Sequence, residues 1–269
     1  MMDITIGQFF PGDSIIHRMD PRTKILFTML YMIVIFLVNN FAGFAVIFLF
    51  ILAVIVSSRV PVKYYFKGLK TILILMLFTA LFNLFLTPGN TIYTLPYLGW
   101  TISDSGIRFA AFMLFRLTFL LIGTSALTFT TSPVVLTDGL EYLMRPFSKI
   151  GVPAHEIAMM MTIALRFIPT FAEETDRIKK AQSARGADFE SGSILKRAKA
   201  MVPILVPLFV GAFRRADDLA IAMEARCYRG GEGRTSLKQL SFSYADIYGL
   251  ASAAIILTAV IICNIYSHF

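Results

Sequence analysis

Apolar residues follow two patterns along this chain. The first is the long, mostly apolar run, at residues 25–38, 41–56, 69–86, 106–129 and 245–266. Runs of this kind, near the roughly 20 residues that cross a bilayer as a helix, predict membrane spans. The first two are short and flank Asn39-Asn40. A single tilted helix over 25–56 would carry Arg59, Lys63, Lys67 and Lys70 outside, against the positive-inside bias, so a hairpin of two short spans is expected. The second pattern is periodic and fills residues 153–230. Ile157, Met161, Ala164, Ile168, Phe171, Ile178 and Ala181 recur at three- and four-residue spacing, opposite Arg166, Thr170, Glu173, Arg177 and Lys180. Leu195, Ala198, Val202, Leu205, Phe209, Ala212, Ala216, Leu219 and Met223 repeat the pattern, with Arg214 and Asp218 on the wet side. Two long amphipathic helices are predicted, with Pro207 kinking the second. Glu173–Arg177 and Asp176–Lys180 stand four apart, acid first, the favourable order for a helical ion pair.

Each periodic stretch ends in a small-Arg-small triplet, Ala184-Arg185-Gly186 and Ala225-Arg226-Cys227. Phe167 and Phe171 precede the first much as Phe209 and Phe213 precede the second, with a slip of one residue. A cation near a helix C-terminus offsets the macrodipole, and Gly186 suits a left-handed cap. The pairing of two equivalent ends, both charged and both flanked by small residues, points beyond capping to contact with a partner. A shorter helix is expected over 134–150, with Ser132-Pro133 as N-cap and first residue and Glu141 four before Arg145.

Composition agrees with the runs. The 269 residues are 57% hydrophobic, with mean hydropathy +0.70 and net charge +8. Sixteen of the 25 Lys and Arg fall between Arg145 and Lys238, which marks 131–244 as cytoplasmic. Arg18, Arg22 and Lys24 mark residues 1–24 the same way. The 87–105 loop has no Lys or Arg, and carries Pro96 and the single Trp100, as an external loop with interfacial aromatics would. The expectation is an all-α integral membrane protein. It has about five transmembrane helices, four within 25–130 and one in 245–269, plus a helical cytoplasmic domain at 131–244, whose apolar stretches 156–171 and 200–213 are expected along or just under the membrane, with a re-entrant hairpin as the alternative. Arg116 falls within a span, as a functional charge or as a structural arginine bonded to a neighbour's carbonyls. His17 is expected at the surface or the membrane interface.

Catalytic patterns are missing. Gly230 to Thr235 lacks the Lys and the spacing of a phosphate loop, and Met159 stands where His155-Glu156 would need a second zinc-binding His. The spans hold no carboxylate pair for a coupling ion. Cys227 and Cys263 suggest neither a disulfide framework nor a metal site, interleaved acids argue against nucleic acid, and no basic n-region announces a signal peptide. A chain without an engine but with an elaborate cytoplasmic face suggests one driven by a partner.

The N-terminal run from Pro11-Gly12-Asp13 to Arg22-Thr23-Lys24, the two Arg triplets, and Glu224-Ala225-Arg226-Cys227-Tyr228-Arg229-Gly230-Gly231 resemble the transmembrane scaffold (EcfT) family of energy-coupling factor transporters, over nearly the whole length. These are bacterial and archaeal ABC-type importers of vitamins and metal ions. The resemblance implies a multi-pass cell-membrane subunit that joins two ABC ATPase subunits to a separate substrate-binding S-component. ATP and Mg would be bound by the ATPases, with no cofactor or metal in this chain. It implies an ATPase-coupling role for Ala184, Arg185, Gly186, Ala225, Arg226 and Cys227. Docking of the substrate-binding subunit would fall to the Met-rich apolar faces, at Met160, Met161, Ala164, Ile168, Leu205, Phe209 and Met223. Ordinary core filling is the other reading of those faces. A dedicated cobalt or nickel transporter subunit and a lipid-modifying membrane enzyme remain alternatives.

Overall fold

In a computed structural model, which describes residues 9–94, 101–189, 191, 193–230 and 240–266, the described residues are mostly helical. The helices are α1 (Pro21–Leu37), α2 (Phe41–Ser58), α3 (Val62–Leu86), α4 (Asp104–Thr130), α5 (Pro133–Met144), α6 (Ala154–Ala184), α7 (Ile194–Ala225) and α8 (Tyr244–Tyr266). A 3-10 helix covers Arg145–Ile150, and an antiparallel hairpin of β1 (Thr91–Thr94) and β2 (Thr101–Ser103) joins α3 to α4. Among the described residues, α2, α3, α4 and α8 are long and apolar enough to cross a membrane. The fifth apolar helix, α1, has 17 residues, about 25 Å at 1.5 Å per residue. Pro96, Trp100, residues 231–235 and Ser267-His268-Phe269 lie outside the described residues.

Local chemistry sets the helix ends. Asp20 caps α1 by accepting from the Arg22 amide, and Pro21 follows as a first-turn residue, so α1 opens four residues before its apolar run. The expected break after it is real: Val38 is extended, and the Asn40 side chain caps α2 by accepting from Gly43 at 2.7 Å. Ser103 caps α4 through the Gly106 amide. A Cβ at Gly106 would stand 2.7 Å from the Leu84 carbonyl oxygen, so glycine allows α3 and α4 to close together there.

Residues 9–139 with 240–266 form one compact unit, and residues 140–230 form another. The core of the first is drawn from Tyr31, Val34, Ile35, Phe44, Ile47, Phe112, Phe119, Ile256 and Val260. Its surface carries Leu73, Ile74, Leu75 and Leu77 of α3, exposed as residues facing acyl chains must be. The N-terminal segment packs into this unit. The Phe10 amide donates to the Phe129 carbonyl, and His17 Nε2 donates to the Phe10 carbonyl at 3.0 Å. With Nε2 protonated, the neutral ring accepts from Ser14 Oγ at Nδ1, so His17 is a half-buried tether. Of the three basic residues preceding the first apolar run, only Arg18 is exposed, paired with Asp13. Arg22 and Lys24 are buried. Lys24 Nζ donates to the carbonyls of His17 and Thr130 and to Thr131 Oγ1. Arg116 takes the structural reading in part, its Nη2 donating to the Val38 carbonyl at 2.9 Å.

Ser132 caps α5 through the Val135 amide. The first turns of α5 stay with the first unit: Thr137 is buried, and a Cβ at Gly139 would meet Pro21 at 3.0 Å. In the second unit, Glu141 reaches the expected Arg145 only at 4.0 Å and bonds His155 Nδ1 at 3.0 Å.

Candidate functional site

The second unit is dominated by α6 and α7, of 31 and 32 residues, each about 45 Å or slightly longer. Ser193 caps α7 through the Lys196 amide. The expected kink is not a break. Helix α7 runs through both Pro203 and Pro207, and α6 runs through Pro169, each proline removing one helical hydrogen bond.

The two helices are tied by a contact that residue spacing does not announce. Arg215 of α7 pairs with Glu174 of α6 at 2.6 Å, and its guanidinium lies 5.1 Å from the Phe171 ring centroid. A Cβ at Gly211 would meet Glu174 Oε1 at 3.3 Å, so a small residue one turn before Arg215 leaves room for the carboxylate. The expected pairs Glu173–Arg177 and Asp176–Lys180 do not form within 4 Å among the described residues. Exposed pairs gain little against the entropy of holding two long side chains. The only sequence hint of the bridge is the doublet Arg214-Arg215, of which one member turns toward α6.

Both helices end in the same way. Arg185 is the C-cap of α6 (φ −89°, ψ 9°) and Arg226 is the C-cap of α7 (φ −92°, ψ 14°). After α6, Gly186 N–H donates to the Ser183 carbonyl and Ala187 N–H to that of Gln182, each at 3.0 Å. After α7, Cys227 N–H donates to Glu224 at 2.8 Å and Tyr228 N–H to Met223 at 3.0 Å. These paired bonds are Schellman motifs, and the residue after each arginine is left-handed: Gly186 at φ 85° and Cys227 at φ 55°. The property shared by Gly186 and Cys227 is therefore a backbone conformation, beyond the small size seen in the sequence. Space is not limiting within the chain, since a Cβ on Gly186 would meet nothing within 4 Å. All six triplet residues are exposed, so the arginines are presented at the helix tips.

Left-handed backbone costs an L-residue about 1 kcal/mol or more. Cys227→Gly is therefore expected to steady the end of α7 by about 1 kcal/mol, and Gly186→Ala to weaken the end of α6 by a similar amount. Amide hydrogen exchange at residues 226–228 and 185–187 reads this directly, slower in the first variant and faster in the second. Unchanged rates in both would show that the caps are not strained in this way.

The residues expected to dock a second membrane subunit are largely free of packing within the second unit. Met160, Met161, Ala164, Ile168, Leu205 and Phe209 are exposed, and Met223 is half-buried. On α7, Met201, Val202, Val206, Val210 and Phe213 extend the apolar surface, and Ile204 alone among the described residues of that helix is buried. Packing within the second unit leaves this face uncovered. Contiguous apolar surface of this kind marks a protein or membrane contact.

Similarity to known proteins gives the family. The family described as CbiQ, cobalt transport protein, matches residues 12–237. The "Energy-coupling factor transporter transmembrane protein EcfT" of Clostridium kluyveri is 54% identical over 264 residues, 98% of each chain. Proteins of the same name from Thermosediminibacter oceani and Bacillus subtilis are 56% and 45% identical. The first match covers 92% of both chains, the second 95% of this chain and 97% of the relative. With near-complete coverage at about half identity, and with both Arg-capped helices inside the matched region, this chain belongs to the EcfT family of energy-coupling factor transporter transmembrane proteins.

Proposed function

We propose that this chain is the transmembrane coupling subunit of an energy-coupling factor importer, passing ATP-driven motion of two partner ATPases to a separate substrate-binding membrane subunit for uptake of a vitamin or other micronutrient. The observation that carries the reading is the matched pair of helix ends, each with the same cap geometry and an exposed arginine. The Glu174–Arg215 bridge adds a lever. It stands eleven residues before Arg185 on one helix and eleven before Arg226 on the other, about 16 Å from each tip. A displacement of either tip is thus referred to one fixed crossing. The chain itself catalyses nothing on this reading, and ATP and Mg belong to the partners. The N-terminus and α6–α7 face the cytoplasm of a prokaryotic cell, where the Lys and Arg excess puts them. The matched family description speaks of cobalt transport, whereas the full-length relatives carry the EcfT name, which favours the scaffold over a dedicated cobalt subunit.

The exposed apolar face is where the substrate-binding subunit would dock. Met160, Met161 and Met223 suit a surface that repacks against different partners, because methionine is unbranched and polarizable. Ile168→Glu or Phe209→Glu is expected to release that subunit while the ATPases still co-purify. Recovery of every subunit in unchanged amounts would overturn the docking role.

A further inference from the structure

The helices of the membrane unit differ in length, and the difference leaves a step. Helices α1 and α2 have 17 and 18 residues, α3 and α4 have 25 and 27. The α1–α2 turn meets α4 partway along, where the Phe41 and Phe112 rings lie 4.7 Å apart and Arg116 bonds the Val38 carbonyl. The first two turns of α4, residues 104–111, continue about 12 Å past that level. A cavity of about 620 Å³ fills the step, with Asn39, Asn90, Asp104, Ser105, Arg108 and Arg116 in its wall.

The level of the step is set by polar side chains. Asn40 Nδ2 donates to the Cys263 carbonyl and Asn264 Nδ2 to that of Leu37, each at 2.7 Å, stitching together the ends of α1, α2 and α8. Polar groups gathered where apolar helices stop mark the edge of the hydrocarbon layer, and the phosphate zone of a bilayer begins there.

Charge at the step is unbalanced. Arg108 and Arg116 stand two turns apart on one face of α4, with Phe112 between them. The Arg108 guanidinium lies 5.2 Å from the Phe112 ring centroid, and that of Arg116 5.5 Å from Phe36. Among the described residues neither arginine forms an ion pair, and Asp104 is the one acidic side chain in the wall. Arg116 Nε is buried without an acceptor. The cavity wall thus carries two cations against one acid, and a guanidinium fork matches the oxygens of a phosphate.

We propose that this step binds the phosphate group of an anionic phospholipid, whose oxygens accept from the guanidinium groups of Arg108 and Arg116 while its acyl chains run inward along the exposed rings of Phe36 and Phe41. A free phosphate shares the headgroup's chemistry, and the test separates the two. The purified full-length chain is equilibrated with mixed micelles of phosphatidylglycerol and phosphatidylcholine, and retained lipid is counted by native mass spectrometry, with and without excess inorganic phosphate. The protein is expected to retain phosphatidylglycerol over phosphatidylcholine at least fivefold, with inorganic phosphate making no difference. Arg108→Gln with Arg116→Gln is expected to bring the ratio near one, and the double Lys variant to fall between, keeping charge without the fork. Arg116→Gln also loses the Val38 contact, so Arg108→Gln alone, at an exposed position, is included and is expected to halve the ratio or more. Retention of inorganic phosphate with displacement of the lipid would assign the site to the free anion and overturn the lipid assignment. Equal ratios in the unaltered protein and the Arg108→Gln variants would overturn the site itself.

Discussion

Arg185→Glu combined with Arg226→Glu is expected to abolish both co-purification of the ATPases and substrate uptake. A coupling tip must hold its partner through a cycle of motion. Guanidinium suits this, because it stays charged and presents a planar fork of donors to a carboxylate or to backbone carbonyls. Losing one such contact in a desolvated groove costs on the order of 2–5 kcal/mol. Either tip alone keeps the ATPases at high effective concentration for the other, so each single variant is expected to impair transport more than assembly. A Lys at either position should be intermediate. The caps themselves survive the change, since their bonds are main-chain bonds. A carboxylate at a helix C-terminus opposes the macrodipole by only about 0.3–1 kcal/mol. Far-ultraviolet circular dichroism of the double variant should therefore match that of the unaltered protein, separating loss of contact from loss of helix. Arg177→Glu and Arg214→Glu, at exposed positions along the same helices, serve as controls with little expected effect. If the double variant bound the ATPases and transported normally, the coupling role of these tips would be wrong.

What was legible in the sequence followed from period and hydropathy. The runs at 41–56, 106–129 and 245–266 match α2, α4 and α8 to within two residues at either end. Helix α3 begins at Val62, seven residues before its apolar run, because Lys63, Lys67 and Lys70 lie on exposed faces of the helix and read as loop charges. Asp20-Pro21 reads as a turn by composition, yet as N-cap and first residue it opens α1. The hairpin of β1 and β2 went unread, although Thr91-Ile92-Tyr93-Thr94 and Thr101-Ile102 are rich in residues that favour strands. Of the two caps, Gly186 announces a left-handed residue and Cys227 does not, since cysteine, unlike glycine or asparagine, does not advertise positive φ. The Glu174–Arg215 bridge joins residues 41 apart in the chain, beyond any helical periodicity. Burial was least legible at Arg22 and Lys24, because a cation before a span reads as a topology signal whether or not it is solvated.

Arg22→Leu is accordingly expected to destabilise the membrane unit by about 3–5 kcal/mol, as removal of one member of a buried ion pair does. Arg22 grips Asp20 with both arms of its fork, Nε to Oδ1 at 2.9 Å and Nη2 to Oδ2 at 2.8 Å, and the two side chains are 7% and 1% exposed. The Asp20 amide in turn donates to Asp246, a fully buried carboxylate on α8 that also accepts from Ser243, so the knot ties the start of α1 to the start of α8. Burial pushes the Asp20 carboxyl up, but the hydrogen bonds from Arg22 outweigh it and hold the group below its ordinary 3.8. In the unaltered protein the pair's contribution is therefore fully present above pH 3.8 and fades as pH falls through the lowered value. In Arg22→Leu burial remains while the side-chain bonds and charge of Arg22 are gone, so the Asp20 carboxyl is expected to titrate higher than in the unaltered protein. The deficit should be complete at neutral pH and shrink on acidification, as protonation removes the stranded charge. Asp20→Asn with Arg22→Leu should recover most of the loss, since asparagine caps a helix as well as aspartate and leaves no unpaired charge at residue 20. Thermal unfolding of the purified protein at pH 7 and pH 5, for the single and double variants, reads all three effects. A single variant within 1 kcal/mol of the unaltered protein at neutral pH, or a double variant no better than the single, would show that the pair does not hold these helix ends together.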